Sequence, residues 1–168
     1  MKPGVIRAQE PMAHELSVIV ARRDDAKAIC DTLGCAPGLL GSGEWWIVPI
    51  SAQFASNAVG GKLLLPDLED PVEAALLCDV IVPLLNRLRQ IPLQGGIALA
   101  FTQYFGGWGA QAAAVLSPGG VLSGPWVKEN AINDALVEVG VQSEGGRDPF
   151  ASVGLGQWRS MDDFAGAG

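Results

Sequence analysis

Histidine is almost missing from this 168-residue chain, with His14 the only one. A Ser-His-Asp or Cys-His arrangement would have to recruit that single base, because each such set needs a base beside its nucleophile. The Gly-x-Ser-x-Gly elbow is absent too, Gly41-Ser42-Gly43 being one residue too tight. Only three cysteines occur, Cys30, Cys35 and Cys78. They cannot all pair, and the Cys30-x4-Cys35 spacing lacks the second ligand pair of a structural zinc site, so neither a disulfide framework nor a metal is expected. Charge is scarce at 17% of residues, and no basic run extends beyond Arg22-Arg23. Phosphate neutralisation needs such a footprint, which argues against nucleic acid as a partner.

Long hydrophobic runs are also lacking. The most apolar stretch, Val72 to Leu88, is interrupted by Glu73, Asp79, Pro83, Asn86 and Arg87. It falls short of the roughly 20 apolar residues that a membrane span requires, and reads as a buried helix. Met1 to Pro11 lacks the apolar centre of a signal peptide, so residues 1–11 are expected to be a flexible extension and residues 12–168 a single domain in a reducing cytosol.

What is present is apolar, acidic and rich in glycine: 49% hydrophobic residues, 18 acidic against 11 basic side chains, a net charge of −7 and 22 Gly. Such a composition excludes a disordered chain and suits either a soluble surface or the capture of a basic protein. Leu16 to Ala21 reads as a strand and Asp24 to Leu33 as a helix, with Asp24 or Asp25 as its cap and Gly34 as its left-handed terminator. Glu44 to Ile50 follows as a strand whose Pro49 belongs at an end or an edge. Ser51 to Gly61 is small and polar, and Leu63 to Leu65 suggests one more short strand. Asp70-Pro71-Val72-Glu73 starts a helix to Arg89 that Pro83 should kink or divide.

Ile97 to Phe105 alternates large and small residues as a strand does. Residues 110–116 and 121–127, joined by Ser117-Pro118-Gly119-Gly120, read as a hairpin, and Asn130 caps a helix ended by Gly140. Asp148-Pro149 starts one more short turn, and the remainder reads as irregular surface. The expected fold is α+β, a mixed but mostly antiparallel sheet covered by about three helices, with a parallel pair left open.

Candidate binding residues are glycines and aromatics. Phe105-Gly106-Gly107-Trp108-Gly109 ends a strand in glycines, which either bend the sheet or offer backbone amides to an anion. Adjacent Trp45 and Trp46 must face opposite sides of a strand. Tyr104, Gly106, Gly107, Trp108, Gly109, Trp126, Trp158 and Arg159 are therefore the candidate ligand or partner residues, with no catalytic set and no cofactor. Cys30 and Cys78 read as small core hydrophobes.

From Phe105 to Arg159, the segments Phe105-Gly106-Gly107-Trp108-Gly109-Ala110-Gln111-Ala112, Ile132-Asn133 with Ala135-Leu136 and Gly140-Val141, Asp148-Pro149-Phe150, and Gly154-Leu155-Gly156 resemble small acidic bacterial proteins of the polymorphic-toxin immunity type. The resemblance implies a non-enzymatic cytoplasmic binder and assigns no site residue. The expected function is thus a protein-binding module with a basic partner and no membrane or nucleic-acid role, a homodimer remaining open. The alternative is a small-molecule-binding protein or enzyme built on the Gly106 to Gly109 loop, with Gln103, Tyr104, Arg87 or Arg159. A polar pocket at that loop would favour the alternative, and an apolar patch rimmed by carboxylates would favour the module.

Overall fold

A computed structural model describes residues 14–35, 43–105, 108–158 and 160–165. The order of elements is β1 (His14–Arg22), α1 (Arg23–Leu33), β2 (Trp45–Pro49), α2 (Ala52–Val59), α3 (Pro71–Ala74), α4 (Leu77–Leu88), β3 (Ile97–Phe105), β4 (Trp108–Leu116), β5 (Leu122–Val127), α5 (Ala131–Val139), α6 (Pro149–Ser152), a 3-10 turn (Leu155–Gln157) and α7 (Met161–Ala165). The strands form one sheet in the order β2-β1-β3-β4-β5. Every ladder is antiparallel, which removes the parallel pair that the sequence left open. The α+β reading stands.

Both faces of the sheet are covered, and side-chain size decides which helix goes where. Ile19, Leu99, Phe101 and Leu116 point to the face that carries Ile29 of α1, Phe54 of α2 and Ile81, Leu84, Leu85 and Leu88 of α4. On the other face, Ala98, Ala100 and Ala113 meet Ala131, Ile132, Ala135 and Leu136 of α5. The small residues that alternate with large ones in β3 are thus the floor on which α5 sits, not a solvated face. Burial on both faces also explains why Val18 to Ala21 of β1 is an unbroken apolar run. Alanine-rich β4, whose composition alone would favour a helix, is a strand because both its faces are buried.

Several expectations need correction. Ser51 to Gly61, read from sequence only as small and polar, contains a helix: Ser51 Oγ accepts from the Phe54 amide at 3.1 Å, Phe54, Ala55 and Ala58 are buried, and Gly60 ends the helix with φ 75°. Leu63 to Leu65 forms no strand, and Leu64 is 74% exposed. The helix expected over 71–89 is two helices, α3 and α4, parted at Ala75-Leu76 rather than at Pro83. Pro83 is tolerated inside α4 because it lies on the exposed side, where water can serve the carbonyl that its missing N–H leaves unpaired. The stretch from Val72 to Leu88 is buried on one side only, since Val72 and Leu76 are exposed. The C-terminal part is not irregular surface, because Val153, Leu155 and Phe164 enter the core beneath α5.

Two caps differ as well. Asn130 sits at the N-cap of α5 in the left-handed region (φ 62°), and its side chain makes no capping bond. The Ile132 amide donates instead to Gln111 Oε1 at 2.9 Å. Neither Asp24 nor Asp25 caps α1, whose N-cap position is held by Arg22. Asp70 does cap α3, accepting from the Val72 and Glu73 amides at 2.8 and 3.4 Å. Gly34 ends α1 with φ 69°, and Pro49 closes the edge strand β2.

Candidate functional site

The residues singled out from sequence are spread over the molecule. Gly106, Gly107 and Arg159 lie outside the described residues, as do residues 1–11 and Gly41-Ser42. Trp108 opens β4 and pairs with Phe105, the last residue of β3, in the antiparallel ladder. Gly109 faces Tyr104 in the ladder, and a Cβ there would stand 2.3 Å from the Gln103 carbonyl oxygen and 2.5 Å from Tyr104 Cα. No side chain fits such a gap, so the glycine is required by the close approach of two strands.

Tyr104 lines a pocket of about 330 Å³ with Thr102, Gln111, Asn130, Ile132, Asn133, Asp148 and Phe150. Its polar groups are engaged with one another. Gln111 Nε2 donates to the Tyr104 hydroxyl at 3.3 Å, Asn133 Oδ1 accepts from the Phe150 amide at 2.8 Å, and Asp148 accepts from Asn133 Nδ2 at 3.2 Å and from the Ala151 amide at 2.8 Å. The network fastens α5 and α6 to the sheet. Thr102 Oγ1, also buried, accepts from the Leu16 amide at 2.9 Å and continues the β1–β3 ladder.

Trp158 lies on the wall of a separate cleft of about 720 Å³, bounded by Trp45, Ile47, Val141, Arg147 and Gln157 among others. Its ring packs on Phe164 at 4.8 Å between centroids. Trp45 and Trp46 do face opposite ways, each half-buried at the margin of one core layer and each beneath a guanidinium, Arg22 over Trp45 at 4.8 Å and Arg23 over Trp46 at 5.5 Å. Arg22 is also paired with Glu44. Trp126 is half-buried on β5, with Lys128 Nζ 5.9 Å from its ring. Tyr104 and Trp158 therefore belong to different cavities, and Trp126 lines neither.

Among the described residues, Asp25 is the buried carboxylate, only 3% exposed. Its two oxygens accept from the Gln94 and Gly95 amides, both at 2.8 Å, and so tie the turn before β3 to α1. Among the described residues, Asp25 and Thr102 are the buried polar side chains, and both accept backbone amides. Among the described residues, no three His, Cys, Asp or Glu side chains gather as metal ligands, and no helix is long and apolar enough to cross a membrane.

The feature that sequence reasoning missed is a groove of about 440 Å³ between α3, the start of α4 and the edge strand β5. Leu68, Pro71, Ala74, Ala75, Cys78, Pro125 and Val127 line it. Cys78 is thus a half-buried groove residue rather than a core one. Exposed carboxylates alternate with this lining along the chain, Asp67 and Glu69 beside Leu68, Asp70 beside Pro71, Glu73 beside Ala74 and Asp79 beside Cys78. No Lys or Arg occurs between Lys62 and Arg87. Leu64, Val72 and Leu76 of the same segment are 74%, 78% and 52% exposed. The sequence does place apolar Val72 and Leu76 in a segment of carboxylates, although Leu76 falls in the break between α3 and α4 rather than on one helical turn with Val72. No family model, curated protein or solved structure matches this chain.

Proposed function

We propose that this chain is a non-catalytic binding module of the cytoplasm whose partner is a basic protein, docked through an apolar anchor in the groove formed by α3, α4 and β5. The observation that carries the reading is the joining of an apolar groove to a segment of five carboxylates without a cation. An apolar surface of that kind suits a partner's anchor side chain, while the carboxylates favour lysines or arginines around it and speed the encounter. Strand addition at this edge is disfavoured because Pro125 lacks an N–H, so the partner's own packed surface or helix is the better fit. The resemblance to immunity proteins makes a toxin the kind of partner expected.

The alternative built on the Gly106 to Gly109 loop has less support. Gly109 is accounted for by strand packing, and the polar groups around Tyr104 are accounted for by their mutual bonds.

The test compares two variants with the same change of charge and the same loss of one exposed apolar side chain. Glu69→Lys/Leu76→Ser/Asp79→Lys alters the groove, whereas Glu129→Lys/Val137→Ser/Glu138→Lys alters the exposed side of α5 and its approach. Proteins captured from the native lysate at low and raised salt are identified by mass spectrometry. The expected result is one basic protein that is weakened by salt, lost by the groove variant and kept by the α5 variant. Equal capture by both variants, or a second copy of this chain in place of a basic protein, overturns the proposal.

A further inference from the structure

Two of the three cysteines are brought together by the way α1 ends. Gly34, in the left-handed region, turns the chain so that the Gly34 and Cys35 amides both donate to the Cys30 carbonyl oxygen, at 2.8 and 3.2 Å. The six-residue closure from Cys35 back to Cys30 is the pattern that commonly sets the fourth-last residue of a helix against the second residue beyond it, usually as an apolar contact. Here both positions are cysteine. Both side chains rest, half-buried, on the core of α1, α2 and α4. The corner is held from outside, because Asn57 Nδ2 of α2 donates to the Gly34 carbonyl at 3.1 Å.

We infer that Cys30 and Cys35 form a reversible dithiol–disulfide site, oxidised by hydroperoxides and reduced by small dithiols. It is independent of the binding reading above and uses none of the groove residues. The roles of the two sulfurs differ. The hydrogen bond from Cys35 holds the Cys30 thiol below its ordinary range, against burial and the charge of Asp31, while that bond and burial push the Cys35 thiol up. Asp31 is itself paired with Lys27 at 2.5 Å, which tempers its repulsion. Cys30 is therefore the attacking thiolate and Cys35 the resolving thiol.

In the first step the Cys30 sulfur attacks the terminal oxygen of the hydroperoxide. An S–O bond forms, the O–O bond breaks, and the alcohol or water leaves with a proton, giving a sulfenic acid. In the second step the Cys35 sulfur attacks Cys30 Sγ, the S–S bond forms, and the S–O bond breaks as water leaves with the Cys35 proton. Two thiols lose two electrons to one peroxide.

The whole protein, as purified and reduced, is treated with one equivalent of hydrogen peroxide, alkylated and digested with trypsin. Cys30 and Cys35 fall on one peptide, residues 28–62, and Cys78 on another. The expected result is a 28–62 peptide lighter by two hydrogens and free of label, regaining two labels after dithiothreitol, while Cys78 takes its label throughout. Two labels on the oxidised 28–62 peptide, or a disulfide between chains, overturns the inference. A second measurement avoids oxidation altogether: phenylarsine oxide, which bridges paired thiols, should bind the wild-type chain one to one and fail to bind Cys35→Ser. Failure to bind the wild type, or equal binding to both, refutes the pairing even if the variant is unstable.

Discussion

Asp25 separates a structural buried acid from a catalytic one, and its removal should cost stability in an amount set by two hydrogen bonds. The carboxylate is 3% exposed and accepts from the Gln94 and Gly95 amides at 2.8 Å each. Bonds to a charged acceptor are worth roughly 1.5–3 kcal/mol each, so Asp25→Ala should lose about 3–6 kcal/mol. In a domain of this size each kcal/mol lowers the thermal midpoint by about 2–4 °C, which places the expected drop at roughly 6–24 °C. Asp25→Asn should fall between wild type and Asp25→Ala. Its Oδ1 can keep the Gln94 bond, but its amide nitrogen would meet the Gly95 N–H donor to donor. Urea unfolding of the three proteins supplies the energies, with an unchanged slope required if only the native state is affected. A loss below about 1 kcal/mol for Asp25→Ala would refute the reasoning, since neither bond would then carry the expected weight.

Other consequences can be measured alongside. Gly109→Ala should destabilise far more than the roughly 1 kcal/mol usual for a point substitution, because its Cβ would overlap strand backbone; a melting curve like that of wild type would count against the described hairpin. Tyr104→Phe removes the acceptor of the Gln111 Nε2 bond at 3.3 Å and should lower stability by urea unfolding while leaving partner capture unchanged; loss of capture would move the binding role to this pocket. Cys35→Ala removes the donor that favours the Cys30 thiolate, so the pH midpoint for Cys30 alkylation should move upward, and a downward or absent shift contradicts the stated cause. Oxidation that closes the six-residue ring should raise stability by about 2 kcal/mol on the chain-entropy estimate, seen as a higher melting temperature reversed by dithiothreitol.

The sequence revealed an element where local chemistry and tertiary packing agree. Asp70-Pro71 starts a helix in both, because an acceptor that satisfies free amides and a ring that fixes φ need no distant partner. Gly34 likewise ends α1 for local reasons. Where packing decides, the pattern misleads. Ser51 to Val59 mixes alanines with Ser56, Asn57 and Val59 and shows no clear periodicity, and it folds as a helix because Phe54 and Ala58 can be buried in the layer that holds α4. The split at Ala75-Leu76 is similar: proline was the obvious place for a break, yet water can satisfy an unpaired carbonyl on the exposed side of α4. Glycines and aromatics drew attention as a binding set, but the register shows Gly109 serving Tyr104, and the cavities separate Tyr104 from Trp158.

Carboxylates show why the candidate surface was harder to read than the fold. Eighteen acidic residues look alike in sequence, and what distinguishes them is whether a donor already holds them. Asp25, Asp70 and Asp148 accept backbone amides, and Asp31, Glu44 and Asp134 are paired with Lys27, Arg22 and Lys128. These charges are spent on the fold. Glu69 and Asp79 keep theirs beside an apolar groove that the chain's own side chains leave open, with exposed Val72 on α3 and exposed Leu76 in the break before α4. Leaving apolar side chains in water forgoes roughly 1.5–3 kcal/mol for each one that could be buried, a loss that a partner would recover on docking. The groove variant tests that point, because it reverses unspent charges and leaves every capping carboxylate in place.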